Sequence, residues 1–120
     1  MNYNRGIGPQ QMHTLVPIGT FEKKARQLLG RAGFNELMEF LARHPTAGSV
    51  IQGTGGLRKV RSGRSASGKS GGVRVIYYYH SENKPILLLL IYSKAKQEDL
   101  TSTQKAQLKR HVNVIVDEFG

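Results

Sequence analysis

The chain has 120 residues, with 18 lysines and arginines against 8 acids and a formal net charge of +10. That length allows one domain with a two-layer core and excludes a multidomain enzyme built around a large cofactor. The charge calls for an acidic partner, whether RNA, DNA or an acidic protein. With no cysteine, disulfides and thiolate metal sites are excluded, in keeping with a reducing, cytoplasmic setting. No window approaches the ~20 apolar residues of a spanning helix. The N-terminus does not pair a basic region with an apolar one, so neither a membrane nor export is indicated.

Residues 1–11 are polar, contain Gly and Asn, and show no periodicity, so they read as a flexible leader to a single domain over 12–120. A short strand is predicted around His13 to Val16, ended by Pro17. Thr20 can cap a helix starting at Phe21, with Glu22 in the first turn where it complements the helix dipole. Phe21, Ala25, Leu28 and Leu29 keep helical spacing until Gly30 interrupts. A second helix, Asn35 to Arg43, aligns Phe34, Leu37, Met38 and Leu41 and stops at His44-Pro45. The two helices are expected to form an antiparallel pair with one apolar side.

After the glycines at 53, 55 and 56 the period changes from 3.6 to 2. Leu57 to Arg61 reads as a strand and Gly63 to Gly72 as a mobile loop. From Val73 to His80 the pattern alternates, with Val73, Val75, Tyr77 and Tyr79 on one side and Arg74, Ile76, Tyr78 and His80 on the other. Ser81 to Lys84 make a turn. Ile86 to Tyr92 is apolar on both faces, as a central strand must be. Thr101 and Gln104 form a capping box for a last helix whose buried stripe is Leu108, Val112, Ile115 and Phe119. The expected fold class is α+β: an N-terminal strand and two-helix hairpin packed on an antiparallel sheet, then a C-terminal helix.

Between Glu39 and Glu82 there is no acidic residue, while Arg58, Lys59, Arg61, Arg64, Lys69 and Arg74 crowd into seventeen positions. Such a surface binds polyanions by releasing their condensed counterions, with affinity that falls steeply with salt. The alternation with apolar residues sets these cations on strands rather than on a tail. A solvated cationic loop is the plainer reading of any charge run.

Gly63 to Ser70 satisfies the phosphate-loop pattern to the letter, but that chemistry needs a helix directly after the loop, and here a strand is predicted. The histidines at 13, 44, 80 and 111 lack metal-ligand spacing, so no metal or other cofactor is expected. An enzyme of this composition must work with lysine, arginine and tyrosine, and RNA suits it because the 2′-OH is a nucleophile already beside the phosphate. Arginine stabilises the added negative charge of the transition state, and a lysine among other cations loses its proton more readily than an isolated one.

Three blocks carry a family resemblance: Val50 to Arg61 (VIQGTGGLRKVR), Gly68 to Tyr78 (GKSGGVRVIYY), and Ile91 to Lys94 with Asp99-Leu100-Thr101. In order and spacing they resemble the RelE/HigB toxins of type II toxin–antitoxin systems, the HigB-like branch in particular, over about residues 12 to 117. The resemblance implies a RelE-type fold and a ribosome-dependent endoribonuclease, an mRNA interferase that cuts messenger RNA in the A site of the 70S ribosome. It also implies a cognate antitoxin, HigA-like with a helix-turn-helix, through which operator DNA is contacted indirectly.

By that resemblance Lys59 is general base or phosphate contact, Arg61 stabilises transition-state charge, Arg74 clamps the scissile phosphate and Lys94 stands at the rim. Arg58, Lys69, Tyr92 and Lys96 would bind RNA. The chain departs from RelE proper at Ala95, where an arginine is expected, and has no tyrosine opening the last helix. The His-Asp-Tyr-His cluster of some HigB toxins is missing, which leaves Tyr92 and His80 as stand-ins for the proton donor. Two other classes fit the same charge: a ParE-like toxin that poisons gyrase, and a non-catalytic RNA- or ribosome-binding protein. Tyr77, Tyr78 and Tyr79 could stack on bases, though tyrosines on a half-buried strand more often pack in a core.

Overall fold

The computed structural model describes residues 13–62, 72–97 and 99–119. The expected leader and most of the expected loop over 63–72, with Lys69 in it, lie outside the described residues. The elements in chain order are β1 (Leu15–Pro17), α1 (Phe21–Arg43), β2 (Ser49–Val50), β3 (Leu57–Ser62), β4 (Val73–Tyr78), β5 (Ile86–Ser93) and α2 (Ser102–Phe119). They build a five-stranded sheet in the order β1-β5-β4-β3-β2.

Two features differ from expectation. The sheet is mixed rather than antiparallel, because β1 runs parallel to β5, with Leu15 opposite Ile86 and Pro17 opposite Leu88. A parallel neighbour requires a crossover, here everything from α1 through β4. The proline sits on an edge strand, where a missing N–H is tolerated. On the opposite edge, β2 pairs Ser49 with Lys59 and Val50 with Arg58, a two-residue strand too short to leave a periodic signal.

The two expected helices run together as one element, α1, two helices meeting across a kink at Gly30 (φ 74°, ψ 175°), where the spacing predicts the interruption. A left-handed φ costs glycine nothing, so one residue suffices to break the axis, and helix resumes directly after it instead of at Asn35. In an unbroken helix Arg26 and Phe34 would stand ~12 Å apart along the axis; with the break, the Arg26 guanidinium lies 4.2 Å from the centre of the Phe34 ring.

The two faces of the sheet carry separate apolar clusters. Toward α1, Val73, Val75, Tyr77, Ile86, Leu88 and Ile91 meet Phe21, Ala25, Leu29, Phe34, Leu37 and Leu41. Toward α2, Leu57, Ile76, Leu87, Leu89 and Tyr92 meet Leu100 and Val112, with Leu108, Ile115 and Val116 packed against them. A register shift explains how β5 serves both: Ile76 pairs Leu90 but Tyr77 pairs Leu88, so Leu89 is an extra residue and, with Leu90, packs on the α2 side. The capping box of α2 forms as its sequence requires. The Gln104 N–H donates to Thr101 Oγ1 at 3.0 Å, and Gln104 Oε1 accepts the Thr101 N–H at 3.0 Å.

A polar lock closes the α1 side. The buried Tyr77 hydroxyl accepts the Gly48 N–H at 2.8 Å and donates to the Pro45 carbonyl at 2.8 Å. A side chain at Gly48 would meet Tyr77 Oη and the Lys59 carbonyl oxygen at 2.9 Å, so only glycine fits there.

Candidate nucleic-acid interface

Because successive side chains of a strand alternate between faces, the buried residues fix where each cation points. Leu57 of β3 belongs to the α2-side cluster, so Lys59 and Arg61, two and four residues on, share that side. Ile76 of β4 belongs to it too, and Arg74 precedes it by two. The register sets Arg61 opposite Arg74 and Arg74 opposite Tyr92. Lys59, Arg61, Arg74 and Tyr92 thus share one face, three of them in a row across three strands. Arg61 is exposed, while Lys59 and Arg74 are half-buried.

Two arginines directly opposite across a strand pair repel, at a cost of about 0.2–1 kcal/mol. A fold sustains that readily where an anion comes between them. Lys94 and Lys96 are exposed in the turn that follows β5. The Lys94 N–H donates to the Gly72 carbonyl at 3.2 Å, which ties the turn to the start of β4 at the end of the sheet where Arg61 and Arg74 stand.

Arg58 does not join this group. It faces the other side of β3, where its guanidinium donates to the Gly48 carbonyl at 2.7 Å and the Thr46 carbonyl at 3.4 Å, beside the Tyr77 lock. His80 also stands apart. It follows β4 at the far end from Arg74, six residues along an extended chain and so about 20 Å away, with its Nδ1 3.2 Å from the Tyr78 hydroxyl.

An acid that the sequence reading did not place at the site belongs to it. Asp99, in the loop before α2, lies with Oδ1 3.3 Å from Lys59 Nζ and accepts the Leu100 N–H at 2.9 Å. That backbone N–H foremost, and the lysine after it, hold the Asp99 carboxyl below the usual carboxylate range. Forty residues separate the pair, and no local signal could have joined them.

Tyr92 is 7% exposed, and its hydroxyl is buried with no hydrogen-bond partner among the described residues. Burial first, then the Asp99 charge, pushes its pKa up, against the opposing pull of Arg74. It stays protonated at neutral pH, but a hydroxyl closed to solvent reaches a phosphate only after a local opening. The arrangement is a cationic surface on one face of the sheet, with the chemistry to attract a polyanion. Among the described residues no group of three or more His, Asp or Glu is gathered to hold a metal ion, and no helix is long and apolar enough to cross a membrane.

No family model matches the chain. Among solved structures it is similar to the E. coli toxin RelE, seen in the free state as a variant with two arginine-to-alanine substitutions. The TM-score is 0.52 and identity 17%, over 73% of this chain and 90% of that one. The fold is RelE-like. At that identity the likeness speaks for the arrangement of helices and sheet, not for any one side chain.

Proposed function

We propose that the chain is the toxin of a type II toxin–antitoxin system, of the HigB-like branch, and that it acts as a ribosome-dependent endoribonuclease on messenger RNA in the A site. The observation that carries this reading is the row Arg61, Arg74 and Tyr92 with Lys59 beside it on one face of the sheet. In this reading the RNA 2′-oxygen attacks the adjacent phosphorus and the bond to the 5′-oxygen breaks. A base takes the 2′ proton and an acid supplies one to the leaving oxygen. Arg74 clamps the scissile phosphate, Arg61 neutralises the phosphorane oxygens, and Lys59 contacts the phosphate or takes the 2′ proton. Lys94 and Lys96 extend the cationic surface at the rim. Arg58, turned to the opposite face, serves the fold. A HigA-like antitoxin with a helix-turn-helix is the partner this reading brings.

The test is in vitro translation with mapping of messenger ends for the wild type, Arg61→Ala and Arg74→Ala. Cuts within A-site codons that vanish in both variants support the reading. Intact message with translation continuing sinks it and turns attention to gyrase, the ParE-like target. Message left intact while salt-sensitive ribosome binding persists points instead to a non-catalytic RNA- or ribosome-binding protein. The cationic row on the sheet favours RNA over gyrase.

A further inference from the structure

Within a surface of like charge, one carboxylate sits against a lysine. Asp99 is 63% exposed in its side chain and Lys59 35%, so the pair is open to water and its net attraction is small. It is also well placed to be exchanged. The carboxylate presents oxygens to Lys59 Nζ much as a phosphate would, and it lies on the same face as Arg61 and Arg74. The Arg26–Glu22 and Arg43–Glu39 ion pairs are one-turn pairs along α1. The Lys59–Asp99 pair instead joins the sheet to the loop before α2, at the candidate interface.

We propose that Asp99 is an affinity-setting residue of the RNA surface: in the free protein its carboxylate occupies the place at Lys59 that an RNA phosphate takes on binding. This rests on the reading of that face as an RNA site. Each binding event then exchanges an internal anion for an external one at Lys59. Lys59 is already partly neutralised before RNA arrives, and its contribution to affinity and to counterion release is muted. Asp99 weakens the grip on RNA without touching the reacting atoms. The Leu100 N–H holds the carboxylate where it is, so the competitor is built into the fold rather than borrowed from solvent.

The test is Asp99→Asn. Asparagine keeps an oxygen to accept the Leu100 N–H and so preserves the approach to α2 while removing the charge. Binding is measured by fluorescence anisotropy with a fully 2′-O-methylated single-stranded RNA, which cannot be cleaved through its own 2′-oxygen, across a salt series. The wild type, Asp99→Asn, Lys59→Ala and the double variant are compared. Asp99→Asn should bind about threefold tighter at low salt, the size of effect one exposed pair can exert. Its plot of log K against log salt should steepen by about 0.7, the share of one phosphate contact on a single strand. In the Lys59→Ala background the same substitution should change neither quantity by as much, because its partner is gone.

Unchanged affinity and slope for Asp99→Asn overturn the proposal while leaving the RNA surface intact. Weaker binding overturns it in the other direction, because Asp99 would then hold Lys59 in a productive position. If the wild type fails to bind RNA and Lys59→Ala makes no difference, the nucleic-acid reading itself falls, an outcome distinct from the first two. A circular-dichroism melt of Asp99→Asn that matches the wild type confirms that α2 has kept its start.

Discussion

Two buried tyrosines, one on each face of the sheet, show how differently the faces are used. Tyr77 looks toward α1, is fully buried, and both accepts and donates a hydrogen bond there. Tyr92 looks toward α2, is almost as buried, and its hydroxyl meets no partner among the described residues. Around Tyr77 the polar groups are consumed by the fold: Arg58 spends its guanidinium on two carbonyls of the 44–48 turn. Around Tyr92 stand the cations of β3 and β4, with Asp99 paired to Lys59. Natural cores satisfy nearly all buried polar atoms, and the Tyr92 hydroxyl, unpartnered among the described residues, lies beside the cationic row.

That contrast can be broken in order of effect. Arg61→Ala and Arg74→Ala should each lower messenger cleavage by about 100- to 1000-fold at saturating ribosome, as loss of a transition-state charge contact does, with melting temperature little changed. A large loss of stability with cleavage retained would mean these arginines belong to the fold. On the other face, Tyr77→Phe strands the Gly48 N–H and the Pro45 carbonyl, and should cost about 2 kcal/mol, read as a thermal midpoint lower by roughly 10 °C, while the folded protein keeps its activity.

Arg58→Ala is the sharper discriminator, because the residue lies next to Lys59 in sequence yet faces away from it. It should lower stability by about 1 kcal/mol and leave the salt slope of RNA binding where it was, whereas Lys59→Ala should flatten that slope by less than one full phosphate contact at nearly unchanged stability. A flattened slope for Arg58→Ala would put it back among the RNA contacts.

The smallest effects come from the orphan hydroxyl. Tyr92→Phe removes a buried polar group with no partner among the described residues and should be neutral or stabilising by about 1 kcal/mol, the reverse of Tyr77→Phe. Burial raises the pKa of both tyrosines, so the native state keeps their protons longer than the unfolded chain does. Stability from these groups is therefore intact below pH ~10 and falls as pH rises beyond it toward the raised values. Urea midpoints between pH 9 and 12 should decline less steeply in Tyr92→Phe than in the wild type.

Much of this was legible from local pattern. The alternation in β4 assigned its residues to the correct faces, the apolar run of β5 announced a strand covered on both sides, and Thr101 with Gln104 marked the head of α2. What escaped depended on partners distant in sequence. Nothing near Leu15 says that it will lie parallel to Ile86, and nothing near Asp99 points to Lys59. The break at Gly30 was legible; what escaped is that helix resumes directly after it instead of at Asn35. Arg58 is a different case: parity alone sets neighbours on opposite faces, and grouping it with Lys59 and Arg61 by charge passed over that rule.

The parallel pairing of β1 with β5 bears on when the molecule comes into being. The N-terminal strand finds its neighbour in a segment synthesised about seventy residues later, several seconds at the usual pace of about 5–20 residues per second. Until then the β3–β4 hairpin with its cations lacks the strand that carries Tyr92, and β1 has nothing to join. A nascent chain therefore completes its row across three strands only once β5 has been made.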